Sequence, residues 1–407
     1  MTTPMAPVIT GLGVMAPNGL GTENYWAATL RGESGIGRIT RFDPTSYPAQ
    51  LAAEIKGFYP KDHLPGRLLP QTDHLTRLSL VAAQHALDDA GAETAQMDDF
   101  DAGIVTANSG GGFEFGQREL EALWSKGSSY VSAYQSFAWF YPVNTGQISI
   151  RHGMRGPGAT LVSEQAGGLD AVAKARRQLR KGTSLMLAGA VDGALSPWSW
   201  ICMLRSGRLS LSDDPARAYV PFDHGAAGHV AGEGGALLVL EDEAAARRRG
   251  VARIYGKVTG YAATFDPRPG TDREPALGRA IELALDEAHR RADEIDVVFA
   301  DAAGVAELDC VEALTLAAMF GPRGVPVTAP KTMTGRLLAG GAPLDLAAAV
   351  LSMRDSVIPP TVHLDRPAYA DLLDLVTEPR EKPVTNALVI ARGYGGFNSA
   401  MVLQRYH

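Results

Sequence analysis

The part of the sequence best suited to chemistry is a Gly-rich turn between an apolar run and a helical segment. Gln165 stands at this turn, Gly167 and Gly168 follow it, and residues 169–179 carry apolar side chains at helical spacing. A strand-to-helix elbow places one side chain at a helix N-terminus, where backbone N–H groups and the helix dipole favour negative charge. Enzymes often place a nucleophile at such an elbow. The amide of Gln165 cannot carry an acyl group as a thioester, but it offers two donors and an acceptor.

The elements around this turn predict an α/β fold. Short apolar runs at residues 159–162 and 185–191 flank the helical segment and are typical of buried strands. A second series of strands and helices follows in a similar order after residue 253. We therefore predict two halves that share one core without a linker, residues 1–252 with the elbow at Gln165 and residues 253–407. The repetition is one of element order, since no residue-level repeat is visible.

Composition excludes several classes of protein. The chain has 407 residues, 45% of them hydrophobic, and its formal net charge of −7 argues against a nucleic-acid binder. No apolar run approaches the ~18 residues of a membrane span, and the N-terminus lacks the pattern of a signal peptide. The two cysteines, Cys202 and Cys310, have neither metal-ligand spacing nor a disulfide framework. We predict a cytoplasmic protein that binds no metal, membrane or nucleic acid.

Residues 11–16, GLGVMA, match a dinucleotide-binding pattern. Pro17 interrupts the helix that would receive the pyrophosphate, and Glu33 lies in a Gly-rich loop rather than after a strand. We therefore reject a nucleotide site at this position.

An aromatic stretch follows the predicted strand at residues 102–107. Residues 113–124 carry aromatic side chains at helical spacing, and residues 130–141 add several more. Such a cluster is compatible with core packing, with a partner interface or with the wall of a tunnel. The sequence pattern leaves these three alternatives open.

Several spaced motifs resemble the β-ketoacyl synthases over essentially the whole chain. They are Gln165-Ala166-Gly167-Gly168-Leu169-Asp170, Pro221-Phe222-Asp223, Gly232-Glu233-Gly234, the run from Lys331 to Arg336, and the run from Gly393 to Asn398. The resemblance implies a thiolase-like fold with two pseudo-duplicated halves in a layered αβαβα arrangement. It also implies condensation of acyl chains with malonyl groups on acyl carrier protein, through an elbow cysteine and two histidines.

All three of those catalytic positions are changed in this chain. The elbow cysteine is Gln165, and the two histidine positions hold Asp301 and Arg336. The resemblance retains Asp309, Glu312 and Lys331, while His229 stands where an aromatic residue is usual. We expect Asp301 and Arg336 to form a buried ion pair that fills the site, which we favour over a catalytic role for them.

The segments VSEQAGGLDA and FAWFYPVNTGQISIRHGMRGP resemble the chain length factor, or β subunit, of type II aromatic polyketide synthases. The resemblance implies a non-condensing subunit that pairs with a ketosynthase α subunit. Substrates would arrive on the phosphopantetheine of acyl carrier protein, with no cofactor of the chain's own. The N–H groups of Gln165 and Tyr394 would form a carbonyl pocket, in which the Gln165 amide could assist decarboxylation of malonyl-carrier protein for priming. Two alternatives remain, a purely structural interaction subunit and a stand-alone malonyl-carrier-protein decarboxylase.

The resemblance also implies positions that limit product size. Phe113, Gly116 and Leu120 lie on one face of a helix and match gates at the end of a polyketide tunnel, with Trp198 as a further wall. Related subunits that stop at eight acetate units carry Thr and Phe at the second and third gates. Since Gly116 and Leu120 are smaller, we expect a longer product of about ten acetate units or more.

Overall fold

The computed structural model describes residues 6–268 and 270–406. The strands are β1 (Val8–Ala16), β2 (Gly19–Leu20), β3 (Ile36–Arg38), β4 (Leu51–Ala53), β5 (Ala102–Ala107), β6 (Gly158–Leu161), β7 (Leu185–Asp192), β8 (Ala231–Gly232), β9 (Gly234–Glu241), β10 (Gly256–Phe265), β11 (Val297–Phe299), β12 (Pro326–Thr328), β13 (Val357–Ile358), β14 (Asp374–Leu375), β15 (Arg380–Glu381), β16 (Asn386–Gly393) and β17 (Phe397–Gln404).

Within the described residues, twelve α-helices connect these strands. They are α1 (Thr22–Leu30), α2 (Pro60–His63), α3 (His74–Ala90), α4 (Phe113–Lys126), α5 (Gln135–Ala138), α6 (Val143–His152), α7 (Glu164–Leu179), α8 (Pro197–Arg205), α9 (Glu243–Arg249), α10 (Leu277–Ala288), α11 (Ala306–Phe320) and α12 (Gly341–Asp355). Two 3-10 turns, Pro330–Thr332 and Leu338–Gly340, lead into α12.

The main sheet repeats one topology. Its strand order is β14-β12-β11-β16-β17-β10-β1-β9-β7-β5-β6, with β2 paired to β1. Strands β1, β5, β6, β7 and β9 are the first to fifth strands of one half along the chain, and they lie in the sheet in the order first, fifth, fourth, second, third. Strands β10, β11, β12, β16 and β17 of the other half lie in the same order. In each set the fifth strand is antiparallel to both neighbours and the second, third and fourth are parallel. The predicted duplication of element order is confirmed.

The helices form three layers around the two halves of the sheet. Helix α3 packs on β1, β7 and β9, and α10 packs on β10 and β17 at the opposite face. Helices α7 and α12 lie between, where they contact each other and strands of both halves. Most of α12 is buried, so it has no polar face and its sequence lacks amphipathic spacing. The predicted αβαβα layering is confirmed.

The glycines of the GLGVMA segment serve packing. Strand β1 continues through Gly11 and Gly13 instead of ending at a phosphate-binding turn. A Cβ at Gly13 would lie 1.9 Å from the Ala82 carbonyl oxygen of α3, and one at Gly11 would lie 2.2 Å from that of Ala86. The glycines therefore allow α3 to approach the strand, which gives both of them a packing role.

The two halves meet at a short antiparallel pairing of β1 with β10, where Val8 lies opposite Lys257 and Ile9 opposite Gly256. The boundary at residues 252 and 253 remains a prediction. Residues 1–5, on which part of the argument against a signal peptide rests, lie outside the described residues. Among the described residues, no helix has the length and apolar character needed to cross a membrane.

A buried carboxylate joins β7 to two other segments. Asp192 ends β7 with no solvent exposure, and its Oδ2 accepts hydrogen bonds from the N–H groups of Ser109 at 2.7 Å and Ala339 at 3.2 Å. Burial raises the pKa of Asp192 from 3.8 to about 6, although these N–H groups oppose the shift. Asp192 therefore fixes the turn before α4 and the turn before α12 relative to β7.

Asp192→Asn should change how stability depends on pH. The pKa of Asp192 is higher in the folded chain than in the unfolded chain, so wild-type stability from this group falls as pH rises from about 4 through 6. The asparagine retains an acceptor but cannot ionise. The free energy of unfolding of the Asp192→Asn variant, minus that of wild type, should therefore increase by about 3 kcal/mol between pH 4 and pH 6. Urea unfolding of both proteins at pH 4 to 8 measures this difference. Equal pH dependence of the free energy of unfolding in the two proteins would contradict the prediction.

Candidate functional site

The residues singled out by the sequence meet at one edge of the main sheet. Asp301 follows β11, Lys331 follows β12 and Arg392 lies near the end of β16. These three strands are parallel, so their carboxyl ends face the same side. The elbow between β6 and α7 brings Gln165 to this edge from the other half of the chain.

The elbow depends on small residues. Strand β6 ends at Leu161 and α7 begins at Glu164, whose φ of +50° is unusual for a residue other than glycine. A Cβ at Gly168 would lie 2.2 Å from Cδ of Pro343 in α12 and 2.5 Å from the Ala339 carbonyl oxygen. Gly168 is therefore required for the close approach of the two central helices. That approach places the first turn of α7 against the loop that carries Arg336.

The Gln165 side chain is buried and hydrogen-bonded within the protein. Its amide orientation is assigned from its partners, because the oxygen and nitrogen are distinguished only by their hydrogen bonds. The nitrogen donates to the Leu338 carbonyl at 2.9 Å, and the oxygen accepts from Nε of Arg336 at 3.2 Å. The expectation that this amide faces a substrate carbonyl is not supported by this arrangement.

Arg336 has an acceptor for each of its five N–H groups. One terminal nitrogen donates to the Asp301 carbonyl at 2.8 Å and to Oδ2 of Asp301 at 3.2 Å. The other donates to Oδ1 of Asp301 at 3.1 Å and to the Arg392 carbonyl at 3.2 Å, while Nε donates to Gln165. The predicted pairing of Asp301 with Arg336 is thus present, and both side chains are buried. We call this set of contacts the Arg336 network.

Electrostatics keep both members of the pair charged. Burial acts to raise the pKa of Asp301, but the charges of Arg336 and Lys331 hold it below its ordinary value. Burial acts to lower the pKa of Arg336, but Asp301 raises it above its ordinary value. The backbone N–H of Arg392 also donates to Oδ1 of Asp301, at 2.9 Å. The pair is therefore a satisfied ion pair that replaces the two histidines implied by the resemblance.

Two of the retained acids hold the loop after β11. Glu312 accepts the N–H groups of Asp301 at 2.7 Å and Ala302 at 3.0 Å. Asp309 accepts those of Gly304 and Phe222, both at 3.0 Å. Burial raises the pKa of Glu312 to about 7 and that of Asp309 to about 6. Glu312 therefore sets the backbone position of Asp301, and Asp309 holds the rest of the same loop.

Lys331 is engaged away from the elbow. Its Nζ lies 2.7 Å from Oδ2 of Asp345 in α12 and also donates to the Ala300 carbonyl. Both side chains of the ion pair are buried. Lys331 therefore links the turn after β12 to the central helix.

An open cavity of about 960 Å³ lies over the Arg336 network. His229 lines it, and burial lowers the pKa of this imidazole to about 3, so His229 is neutral near pH 7. Gln165 is not among the described residues that line the cavity. No group of His, Cys, Asp or Glu within the described ranges is placed to hold a metal ion. The cavity wall carries the arginines Arg205, Arg208, Arg268, Arg273, Arg336 and Arg392.

Sequence reasoning missed two residues of this site. Glu164 lines the cavity and its carboxylate accepts the backbone N–H of Tyr394, one of the two expected carbonyl-pocket donors. An acid in the first turn of a helix was a usable signal for it. The N–H of Arg392 donates to Asp301 and its carbonyl accepts from Arg336, and a residue that acts through its backbone leaves no signal in its side chain.

The four positions predicted to limit product size lie on α4 and α8. The rings of Phe113 and Trp198 form an edge-to-face contact with centroids 5.1 Å apart. A Cβ at Gly116 would lie 3.4 Å from Cβ of Trp139 and 3.8 Å from the Trp198 ring. Leu120 and Trp198 are 38% and 41% exposed in the isolated chain. The structure thus brings Phe113, Gly116 and Trp198 together, with Leu120 one turn beyond Gly116 on the same helix.

Breaking the Asp301–Arg336 pair should destabilise the protein more than removing both charges. Arg336→Met leaves a buried carboxylate without its cation, and Asp301→Leu leaves the guanidinium without its anion, at a cost of about 3–5 kcal/mol each. The double variant should lose clearly less than the sum of the single variants, because no charge remains unpaired.

Denaturant unfolding of wild type, the two single variants and the double variant measures this coupling. The matched control is Arg291→Met, which breaks the exposed Arg291–Asp293 pair and should leave the unfolding midpoint unchanged. Additive losses in the double variant would show that the pair is not coupled.

Two family models cover most of the chain. The N-terminal domain of β-ketoacyl synthases matches residues 6–246, and the C-terminal domain of the same family matches residues 255–365.

The relatives and structural neighbours agree with these matches. The tetracenomycin polyketide synthase ketoacyl synthase β subunit of Streptomyces glaucescens is 58% identical over 408 residues, which cover 100% of both chains. The actinorhodin polyketide putative β-ketoacyl synthase 2 of Streptomyces coelicolor is 57% identical over 99% of each chain. The structure of the ishigamide ketosynthase/chain length factor superposes with a TM-score of 0.89 and 27% identity, over 99% of this chain and 100% of that one. The chain therefore belongs to the β-ketoacyl synthase family, within its branch of polyketide synthase β subunits.

Proposed function

We propose that this chain is the non-condensing chain length factor subunit of a type II polyketide synthase, active as one half of a heterodimer with a ketosynthase α subunit. The observation that carries the proposal is the Arg336 network, in which Gln165, Asp301 and Arg336 bind one another at the catalytic positions. A site whose groups are committed to one another cannot run the condensing reaction. The partner supplies that chemistry, and this chain contributes shape.

The absence of a thiol at the elbow supports a role as one part of an acyltransferase complex. Covalent acyl transfer requires an activated nucleophile, most often a thiolate at a helix N-terminus in this kind of site. The two cysteines lie elsewhere, Cys202 in α8 and Cys310 in α11. The chain alone therefore lacks the group that would hold a growing polyketide.

An exposed apolar surface supports the heterodimer. Helix α4 contacts the turn at residues 128–130, α5 and α8, so their exposed side chains share one side of the molecule. A contiguous group of nine exposed apolar or aromatic side chains indicates a surface that binds a protein partner. We call it the aromatic patch, and its exposed members are Leu120, Trp124, Tyr130, Tyr134, Trp139, Phe140, Tyr141, Trp198 and Ile201.

An open sheet edge lies in the same half of the chain. Strand β6 is the last strand of the main sheet, and within the described residues no strand pairs with its outer side. Val162, directly after it, is 52% exposed. Exposed edges are usually covered in stable proteins. A partner subunit would cover this one.

Substrates would reach the heterodimer on a separate carrier. Acyl carrier protein delivers the extender units on its phosphopantetheine, and the chain carries no cofactor of its own. Its two free cysteines are compatible with a reducing cytoplasm.

A tunnel formed with the partner would end at Phe113, Gly116, Leu120 and Trp198. Gly116 faces Trp139 and Trp198 with room for a methyl group and little more. Because interiors are close-packed, side-chain volume at this position sets how far a chain can extend before it meets the aromatic rings. The small Gly116 and the aliphatic Leu120 support a product of about ten acetate units or more.

The geometry does not favour decarboxylation by Gln165. Both ends of its amide bind protein groups, Leu338 and Arg336, rather than the cavity. Electrostatic stabilisation of an enolate requires donors aimed at the position of the oxyanion. A structural role for Gln165 therefore has more support than a priming role or a stand-alone decarboxylase.

Stable expression should require the ketosynthase. An obligate interface buries more than about 2,000 Å² of largely apolar surface, so co-expression should yield a 1:1 complex and expression alone should yield aggregated protein. Trp124→Glu adds a charge to the aromatic patch at a side chain that is 84% exposed, and it should reduce co-purification at least tenfold.

Tyr59→Glu is the matched control, because Tyr59 is 66% exposed outside the patch. Size-exclusion chromatography with light scattering measures the complexes. A monodisperse monomer that ignores added ketosynthase would contradict the heterodimer.

Restoring bulk at the gates should shorten the product. Gly116→Thr places new atoms against Cβ of Trp139 and the Trp198 ring, and Leu120→Phe adds bulk one turn further along α4, so the polyketide should lose at least one acetate unit. Mass spectrometry of products from the reconstituted heterodimer measures the length.

Gly116→Ala serves as the graded control for this experiment. Its Cβ lies at ordinary contact distances, so it should alter the product distribution least. An unchanged product from a well-folded double variant would place the end of the tunnel elsewhere.

A further inference from the structure

Glu164 is an acidic side chain in an unusual backbone conformation at the start of α7. Its φ of +50° lies in the left-handed region, which is unfavourable for a residue other than glycine. Such a conformation persists where surrounding contacts hold it. The contacts at Glu164 are made by its carboxylate.

Two backbone N–H groups face that carboxylate. Oε2 of Glu164 accepts the N–H of Tyr394, from the Gly-rich turn between β16 and β17. Burial raises the pKa of Glu164, whereas Arg336 and the N–H groups of Tyr394 and of Gln165, in the first turn of α7, favour its ionised form. Converging N–H groups from a helix N-terminus and a Gly-rich turn form an anion-binding pocket. Here the anion comes from the chain itself.

The pocket opens onto the arginine-lined cavity. Glu164 and Tyr394 both line that cavity, and the guanidinium of Arg208 lies 4.6 Å from the centroid of the Tyr394 ring. Arg336 interacts favourably with the Glu164 carboxylate from the floor. A cavity with this wall suits an anionic or strongly polarised oxygen, such as that of a carboxylate or a thioester.

We propose that the Glu164 carboxylate is a built-in occupant of this pocket, so that the pocket accepts a carboxylate or thioester oxygen only when Glu164 is removed from it. In the wild-type subunit the Glu164 carboxylate already occupies the position that the two N–H groups face, so an incoming acyl-pantetheine finds no free backbone donor there. The pocket is separate from the predicted tunnel gates, because none of the gates is among the described residues that line the cavity.

Glu164→Gly is the variant that opens the pocket. Glycine adopts a positive φ without strain, so the change removes the carboxylate while the backbone can keep its conformation. The N–H groups of Gln165 and Tyr394 are then free. Glu164→Gln is the matched control, since its amide oxygen can still accept from them and keeps the pocket filled.

The test uses the heterodimer and an unreactive amide analogue of malonyl-pantetheine. Pairing is established first by co-purification, so a failure of the proposed heterodimer is recognised before any ligand is added. Titration calorimetry then gives the number of analogue sites. We expect one site per heterodimer, in the ketosynthase, for wild type and Glu164→Gln, and two sites for Glu164→Gly.

Crystals of the same complexes locate the second site. The analogue carbonyl in Glu164→Gly should lie within hydrogen-bond distance of the Gln165 and Tyr394 N–H groups. Three results would overturn the proposal: analogue bound in the wild-type pocket, an empty pocket in a well-folded Glu164→Gly complex, or equal binding by the Gln and Gly variants.

Discussion

The site depends on one buried guanidinium. Arg336 donates all five of its N–H groups to acceptors from α7, from the loop after β11 and from β16. A buried charge with a missing partner is strongly unfavourable, so each of these elements must keep its position once the arginine is present. The same interaction explains why Gln165 is bound internally and why Asp301 remains ionised. One set of contacts thus orders the elbow, the loop after β11 and the end of β16.

The scaffold retains the groups that shape the backbone and changes the groups that would react. Glu312 and Asp309 still bind the N–H groups of the loop after β11, and Gly168 still lets α7 approach α12. These contacts hold the fold irrespective of which side chain stands at the elbow. An enzyme fold can therefore persist as a structural subunit, because the interactions that position a site differ from those that perform its reaction.

The molecule separates its polar and apolar functions in space. The arginine-lined cavity lies above the Arg336 network, whereas the aromatic patch lies on α4, α5 and α8. Asp192 connects the two regions, since it binds the turn before α4 and the turn before α12. A subunit that shapes a tunnel needs this rigidity, because small shifts of α4 would change the space beside Gly116.

The sequence alone determined the α/β architecture, the elbow at Gln165 and the pairing of Asp301 with Arg336. Periodicity of apolar residues reports on local structure, and long motifs report on fold, so both were readable without coordinates. Only the tertiary structure decided where the Gln165 amide points and what occupies the pocket beside it. Those outcomes depend on Leu338, Arg392 and Tyr394, which act through backbone atoms that every residue carries. A backbone N–H or carbonyl leaves no trace in the residue type, so its contribution appears only when distant segments meet.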